Sequence, residues 1–357
     1  MAAARSVTRV ARGISLSIAL AVALVAAILA SSVVGQLPIT PTEIVGSLLR
    51  AVGIGNGWAP TDPIVESTIW IVRFPRIVMG LAVGAALAVA GAVMQAIFGN
   101  PLAEPGVVGV SSGAAFGAAG VIVFGGTLGI TAALGSWGIA VCAFAGGLVA
   151  TLVVYFVSRA NGRTEVVTLL LTGIAINAFA SAGLAFLLFM GDTASREQIT
   201  FWQLGSLNGS LWREVAIVAP ITVLGTVGAI MLGKRYDLLA LGERNARHLG
   251  VNVEALRIGS IVLVALLTGV AVAFCGIIAF VGLVVPHVIR MVIGPSHRPL
   301  LVASAVGGAA LLTFADLVAR TIVPGADLPI GMLTSLIGGP FFFYLLYRQR
   351  KRSGGWA

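Results

Sequence analysis

The sequence predicts an all-α, polytopic membrane protein. Of its 357 residues, 58% are hydrophobic and 10% are charged, whereas about 25% of residues are charged in an average soluble domain. The mean hydropathy is +1.05, and the apolar residues form runs long enough to cross a hydrocarbon core of about 30 Å. Because backbone polar groups must be satisfied inside lipid, these runs are expected to be helices.

Ten spans account for the apolar runs. The first run has 22 residues and follows Arg5, Arg9 and Arg12; it is longer than the apolar core of a signal peptide, about 7–15 residues. The seventh and eighth together cover 36 residues, too many for one span and too few for two full ones. The predicted spans are 14–35, 77–98, 105–124, 128–157, 166–190, 215–232, 258–279, 280–293, 300–319 and 329–347.

The positions of the basic residues decide the number of spans. With ten spans, 16 of the 22 Lys and Arg residues fall on one side of the membrane, which the positive-inside rule makes the cytoplasm. A nine-span arrangement would place the basic C-terminal tail outside. We therefore expect one transmembrane domain over residues 1–357, with cytoplasmic tails at 1–13 and 348–357. The net charge of +9 comes from clusters between spans, which argues against nucleic-acid binding.

The most charged segment between apolar runs is the loop 236–257. Asp237 and Asn252 are each able to cap a short helix, and Gly250 stands where a helix ending at Leu249 needs a left-handed residue. Two short helices joined at Gly250 are therefore predicted. Charge runs are usually ordinary solvated loops, but four leucines favour a docking surface for a soluble partner. These are Leu238, Leu239, Leu241 and Leu249.

The turn between the second and third spans is polar. Pro101 and Pro105 prevent one helix from running through it, and Asn100 and Glu104 bring polar groups to the membrane edge. A capped tight turn and a gate lining a pore both fit this pattern. Glycines four apart within the spans, such as Gly80 with Gly84 and the set Gly109, Gly113 and Gly117, predict close helix packing.

On the predicted outer side, Arg73 and Arg320 end spans that are distant in sequence. Asp316 lies one helical turn before Arg320, close enough to orient it. The arginines suit snorkelling anchors or an exposed pair that binds carboxylates of an extracytoplasmic partner. Residues 191–212, which contain Phe201 and Trp202, are predicted to form an interfacial helix.

Catalytic chemistry has little support in the sequence. Residues 228–235 match GxxxxGK but carry Arg235 where Ser or Thr should bind Mg²⁺, and they end a membrane helix instead of following a strand. Cys142 and Cys275 have no CxxC spacing, so no metal or other cofactor is expected on this chain. Only Asp316 lies clearly within a span, which argues against a secondary transporter with an intramembrane ion relay.

The chain resembles the FecCD/BtuC-type permeases, the membrane subunits of ABC importers for ferric siderophores, haem and cobalamin. The resemblance covers nearly the whole chain and implies a ten-helix, type II ABC importer permease that pairs with a second copy or a paralogue around a central pathway. It rests on these motifs, in order: RFPRIVMGLAVGAALAVAGAVMQAIFGNPLAEPGVVGVSSGAAFG, LALGERNARHLGVNVEALR, GIIAFVGLVVPHVIR and ADLVARTIVPGADLPIGMLTSLIGGPFFFYLL.

The resemblance also implies roles for individual residues. Arg73 and Arg320 would dock acidic residues of an extracytoplasmic binding protein, and Asn100 with Leu102 would form a cytoplasmic gate. A second gate, small and polar in the cobalamin permease, is mostly apolar here, at Val166, Val167 and Thr168. The loop after the sixth span would couple to the ATPase through Gly242, Ala246, Arg247, Leu249 and Gly250. Pathway residues on the fifth and tenth spans would be Thr172, Asn177, Met332 and Ser335.

The function implied by the resemblance is ATP-driven import of an iron chelate across the bacterial cytoplasmic membrane. A ferric siderophore is favoured because such chelates are prevalent substrates of these permeases; haem or cobalamin is the alternative, and a secondary transporter is a more distant one. ATP and Mg²⁺ would be bound by two partner ATP-binding subunits, so the chain itself is expected to be no enzyme. The other expected partners are the binding protein, the chelate and membrane lipid.

Overall fold

The computed structural model describes the backbone at residues 2–55, 57–160 and 163–352. Seven helices of the described chain are long and apolar enough to cross a membrane, and three shorter apolar helices accompany them, in agreement with the ten predicted spans. These ten are α1 (Ala2–Val33), α4 (Phe74–Phe98), α5 (Val110–Phe124), α7 (Gly138–Val157), α8 (Val166–Met190), α10 (Trp212–Leu239), α12 (Val253–Cys275), α13 (Val281–Ile293), α14 (His297–Ala319) and α15 (Ile330–Arg352).

Short elements connect the spans. The connecting helices are α2 (Pro41–Ala51), α3 (Pro63–Ser67), α6 (Ile130–Leu134), α9 (Thr193–Leu204) and α11 (Glu243–His248), and an antiparallel pair of two-residue strands joins β1 (Arg159–Ala160) to β2 (Arg163–Thr164). A π-helical turn, Thr68–Arg73, makes α3 and α4 one continuous helix. The helix predicted within residues 191–212 is α9, which Asp192 caps by accepting from the Ser195 N–H at 2.8 Å.

Successive spans run in alternate directions, so the connections gather at two ends of the bundle. Hydrogen bonds join Thr164 to Glu254 and Asp237 to His297 at one end, which we term the loop end. Arg320 bonds to Ser31 at the opposite end. The loop end holds the connections 99–109, 158–165, 240–252 and 294–296.

Helix α4 is the centre of the bundle, and glycines let its neighbours approach its backbone. A Cβ placed on Gly84 would lie 2.2 Å from the Gly308 carbonyl oxygen of α14, and one on Gly91 would lie 1.8 Å from the Gly282 oxygen of α13. The same pattern joins α5 to α7, where a Cβ on Gly117 would lie 2.2 Å from the Cys142 oxygen. Small residues therefore pack these helices backbone to backbone, as the glycine spacing predicts.

The short seventh and eighth spans are explained by a break in the chain between α12 and α13. Residues 276–280 are not helical, and Phe280 has φ +67°, the one positive φ outside glycine in the described chain. A hydrogen bond holds the chain where the break begins: the Ser206 N–H donates to the Cys275 carbonyl at 2.8 Å. Helix α13 then has 13 residues, about 20 Å of rise, so it starts within the bundle.

Two predicted boundaries are wrong in detail. The third span does not begin as an α-helix at Pro105, because Pro105–Val108 is a 3₁₀ turn and left-handed Gly109, at φ +83°, precedes α5. The fourth span, predicted over 128–157, is interrupted at Gly135, where φ is +54°. In both places a glycine supplies a backbone conformation that a continuous helix cannot contain.

We expect Gly308→Leu to disrupt the contact between α14 and α4. A Cβ on Gly308 would lie 2.2 Å from the Gly84 oxygen, and a main-chain atom cannot turn aside as a side chain can. Overpacking of this kind costs about 1–3 kcal/mol of unfolding free energy. The apparent melting temperature of the purified protein in detergent measures the loss. Gly259→Leu on α12 is the control, because a Cβ there meets nothing within 4 Å; equal melting temperatures for both variants would contradict the packing.

Candidate functional site

Helix α11 presents a small exposed surface at the loop end. Gly242 precedes it with φ +97° and Gly250 follows it with φ +83°, so glycine conformations bound the helix on both sides, as predicted for Gly250. Ala246 is fully buried, whereas Leu249 is 58% exposed. Six side chains of this segment are exposed around the buried contact: Leu241, Arg244, Asn245, Arg247, His248 and Leu249.

The prediction of two short helices joined at Gly250 is wrong. Helix α10 runs on to Leu239 because Tyr236 is buried and its hydroxyl hydrogen-bonds Ser260 Oγ at 2.8 Å. After Gly250 the chain enters α12 directly, and Asn252 caps that long helix by accepting from the Ala255 N–H at 3.0 Å. The loop 236–257 therefore contains one short helix, α11, between the ends of two spans.

Two other expectations for this loop also need correction. Asp237 caps no short helix: its Oδ1 accepts from the His297 main-chain N–H at 2.8 Å, so it caps the start of α14. Leu239 is 8% exposed and Leu238 is half-buried, so only Leu241 and Leu249 of the four leucines remain exposed. The buried pair holds the last turn of α10 in the core instead of forming a surface.

Ionic contacts connect α11 to two neighbouring segments. Arg257 forms an ion pair with Glu243 of α11 and also donates from Nη1 to the Thr164 carbonyl at 3.0 Å. Thr164 in turn donates from Oγ1 to Glu254 Oε1 at 2.6 Å. The chain Glu243–Arg257–Thr164–Glu254 joins α11 to the start of α12 and to the hairpin that precedes α8. Sequence analysis did not identify these contacts, since the residues are far apart in the chain.

A cavity of about 480 Å³ lies beside α11 at the loop end. Gln95 and Gly99 of the α4 end, Val166 of α8 and Arg290 of α13 contribute to its wall. Arg290 Nε and Nη2 have no hydrogen-bond partner among the described residues. Glu243 of α11 and Gly242 before it also line the cavity, so it lies between the start of α11 and the end of α4.

The turn 100–109, which we term the gate segment, contains the predicted gate residues Asn100 and Leu102. Asn100 Oδ1 accepts from the Leu102 N–H at 3.0 Å, the capped turn that the sequence allows. Burial raises the pKa of the Glu104 carboxyl, and the main chain of Phe280, at the start of α13, acts in the opposite direction.

The predicted pathway residues do not converge in one chain. Asn177 of α8 donates from Nδ2 to the Gly106 carbonyl at 3.3 Å, and Thr172 is half-buried on the same helix. Met332 and Ser335 are exposed on α15. Helix α8 packs on α5 and α7, whereas α15 packs on α9, α13 and α14. Both helices keep largely apolar outer faces.

Arg73 and Arg320 meet at the opposite end, but the prediction that they form an exposed pair is wrong. They are 4% and 8% exposed, and both donate to the C-terminal end of α1. The last carbonyls of a helix have no donor within it, so cations are favourable partners there. Arg73 bonds to the main-chain oxygens of Ser32, Val33 and Leu37, and Arg320 bonds to both oxygens of Ser31.

Asp316 has a different main partner from the predicted one. Arg76 donates from Nε to both Asp316 carboxylate oxygens at 3.0 Å and from Nη1 to Asp327 at 2.7 Å. Arg320 Nε lies 3.8 Å from Asp316 Oδ2, a longer contact. Arg76 was overlooked as a partner, although it follows Arg73 by three residues and so lies on a nearby face of the helix.

Metal ligands do not cluster in the part of the chain described. His, Cys, Asp and Glu residues form no group of three that could hold a metal ion there. The groups that the structure does assemble are one exposed short helix, one braced turn and one buried set of arginines and aspartates.

Comparisons with known proteins agree with this geometry. The model of the FecCD transport family matches residues 23–348. The hemin transport system permease protein HmuU of Yersinia pestis is 42% identical over 288 residues, covering 80% of this chain and 85% of that protein. The cobalamin import system permease protein BtuC of Halobacterium salinarum is 40% identical over 297 residues, covering 83% of this chain and 77% of that protein.

A solved structure shows the same fold. It is described as an inward-facing conformation of a proposed metal-chelate type ABC transporter, and it superposes with a TM-score of 0.80 at 32% identity, covering 93% of this chain and 98% of that chain. The predicted family resemblance and the all-α membrane fold are therefore confirmed. The chain is a multi-pass membrane protein and an ABC importer permease, and it belongs to the FecCD transport family.

Proposed function

We propose that this permease imports an iron chelate across the bacterial cytoplasmic membrane with energy from ATP hydrolysed by partner subunits. A ferric siderophore is the favoured substrate because such chelates are prevalent among the substrates of similar permeases. Haem is the second candidate, since a relative that is 42% identical is named for hemin transport, and cobalamin is the third. The observation that carries the proposal is the exposed α11, which offers a soluble ATPase a surface on a membrane bundle.

The loop end faces the cytoplasm in this proposal. Its support is the distribution of charge, because 16 of 22 Lys and Arg residues lie on that side with both chain ends, as the positive-inside rule requires. Two ATP-binding subunits would dock there and hold ATP and Mg²⁺ themselves, so this chain acts as a transport subunit without enzymatic activity. The extracytoplasmic binding protein would then dock at the opposite end.

Coupling would proceed through α11. Exposed Arg247 and Leu249 would contact the ATPase, while buried Ala246 keeps the helix attached to the bundle. When the ATPases close on ATP, a displacement of α11 would pass through Arg257 to the start of α12 and to the hairpin before α8. Rigid movement of these helices would alternate the pathway between its two openings.

The transport pathway would form between two permease subunits, either two copies or a copy and a paralogue. The candidate residues of α8 and α15 lie apart within one chain, and both helices have exposed apolar faces. Phe179 of α8 is 70% exposed and Leu336 of α15 is 71% exposed. A second subunit and membrane lipid would cover these faces. Thr172, Asn177, Met332 and Ser335 would then border a shared space.

Binding-protein docking at Arg73 and Arg320 would require an exchange of partners. Both guanidinium groups now bind main-chain oxygens at the end of α1. Carboxylates make shorter and stronger charge-assisted hydrogen bonds than neutral carbonyls do. Acidic residues of a docked protein would therefore compete for the same donors once the end of α1 moved aside.

Replacing Arg247 and Leu249 together with aspartate should uncouple the permease from its ATPase. The change replaces an exposed cation of α11 and the exposed apolar residue that follows it with anions, so we expect the substrate-loaded binding protein to lose most of its stimulation of ATP hydrolysis in proteoliposomes. Lys234→Asp, an exposed position on α10, is the control for charge. If transport and stimulated ATPase rates in the double variant equal those of the parent, the role of α11 is refuted.

Arg73→Gln and Arg320→Gln should each weaken docking of the cognate binding protein by about tenfold or more, because truncation of one member of a charged pair at an interface costs 2–5 kcal/mol. Equilibrium affinity for the permease in nanodiscs measures this. Arg213→Gln is the control: Arg213 lies at the same end, where it donates to Ser136 Oγ and stacks on the Trp137 ring without contacting α1 in the described part of the chain. A lower melting temperature with unchanged affinity would show that the two arginines only hold α1.

A further inference from the structure

The gate segment lies between two helices, α13 on one side and α8 on the other. On one side it meets α13, where a Cβ placed on Gly282 would lie 3.3 Å from Pro105 Cδ.

On its other side the segment lies directly on α8. A Cβ placed on Gly173 would be 1.9 Å from the Val107 carbonyl oxygen, so the two backbones are in contact. One turn along α8, Asn177 Nδ2 donates to the Gly106 carbonyl at 3.3 Å. In the described structure this is the one side-chain hydrogen bond that joins α8 to the gate segment.

The Asn177 amide is held in the orientation that this bond needs. The Gly106 carbonyl is an acceptor only, so the donor side of the amide, the NH₂ group, must face it. The acceptor side, Oδ1, accepts from Ser112 Oγ at 2.5 Å, and the same hydroxyl lies 3.2 Å from the Gly109 carbonyl. Ser112 itself lies in the first turn of α5, immediately after the gate segment.

We propose that Asn177, oriented by Ser112, is a positioning residue that holds the gate segment against α8 and so sets the resting position of the loop-end gate. The proposal rests on the proposed function, in which Asn100 and Leu102 close the pathway. Asn177 acts on the gate through the Gly106 main chain, so it needs no contact with the chelate. Movement of α8 would carry the segment with it until this bond breaks.

Any such movement of the gate segment would occur mainly at two glycines of its backbone. Gly99 precedes the segment and Gly109 ends it, at φ +60° and +83°, and left-handed glycines are positions where a chain can reorient at low cost. Between them lies the 3₁₀ turn Pro105–Val108. The Asn177 amide bonds to Gly106 within that turn. It therefore holds the segment at a point between the two glycines.

The test measures the position of the gate without ATPase or chelate. Leu102→Cys, in a background where Cys142 and Cys275 are replaced by serine and alanine, is labelled with a maleimide in lipid nanodiscs that leave both faces accessible. We expect Asn177→Ala to raise the labelling rate about fivefold, as the loss of one net hydrogen bond predicts. Ser112→Ala, which keeps the Asn177 bond to Gly106 but removes the Ser112 bonds to Asn177 Oδ1 and to the Gly109 carbonyl, should give a smaller increase in the same direction.

Ser181→Ala, at an exposed position one turn further along α8, is the matched control and should label at the parent rate. Melting temperatures of all variants establish that the bundle is intact, and Ser112→Ala keeps the test open if Asn177→Ala does not fold. Labelling of the folded Asn177 and Ser112 variants at the parent rate would overturn the positioning role. This experiment measures labelling and not transport. Such a result would therefore not refute the import proposal, which is tested separately.

Discussion

The close approach of α4 to α13 and α14 is the contact on which the other features depend. It is possible because Gly84 and Gly91 place no side chain between the backbones, and in lipid such packing takes the role that hydrophobic burial has in water. The same helix begins at the arginine-rich opposite end and leads at Phe98 into the gate segment. Helix α4 therefore links the two ends of the bundle through its most tightly packed part.

The two ends of the bundle differ in the burial and pairing of their charged side chains. At the opposite end the charges are buried and paired: Arg76 bridges Asp316 and Asp327, and removal of one partner of a buried pair leaves an uncompensated charge that is strongly destabilising. At the loop end, Arg247 is 45% exposed, although Arg257 is buried there and paired with Glu243. In the proposed function, the loop end would bind a soluble ATPase directly, whereas the opposite end would first have to release α1 before its arginines could bind another partner.

The number of spans, the helical class and the left-handed Gly250 could be predicted from the sequence, because they follow from local hydropathy, charge and backbone preference. The burial of Arg73 and Arg320 could not, since it depends on where the end of α1 lies. Asp237 illustrates the same limit: its local context suits a helix cap, but the helix it caps begins 60 residues later. Long-range pairs such as Arg76 with Asp316 leave no periodic signal in a single sequence.

The most direct test of the account is uptake of a radiolabelled ferric siderophore, with haem and cobalamin in parallel, by proteoliposomes that contain the permease with its ATPase and binding protein. The account predicts that uptake of one of these chelates requires ATP hydrolysis, stops when the catalytic residue of the ATPase is replaced and is unaffected when ion gradients are dissipated. Uptake that continues with an inactive ATPase and depends on a proton or sodium gradient would contradict it.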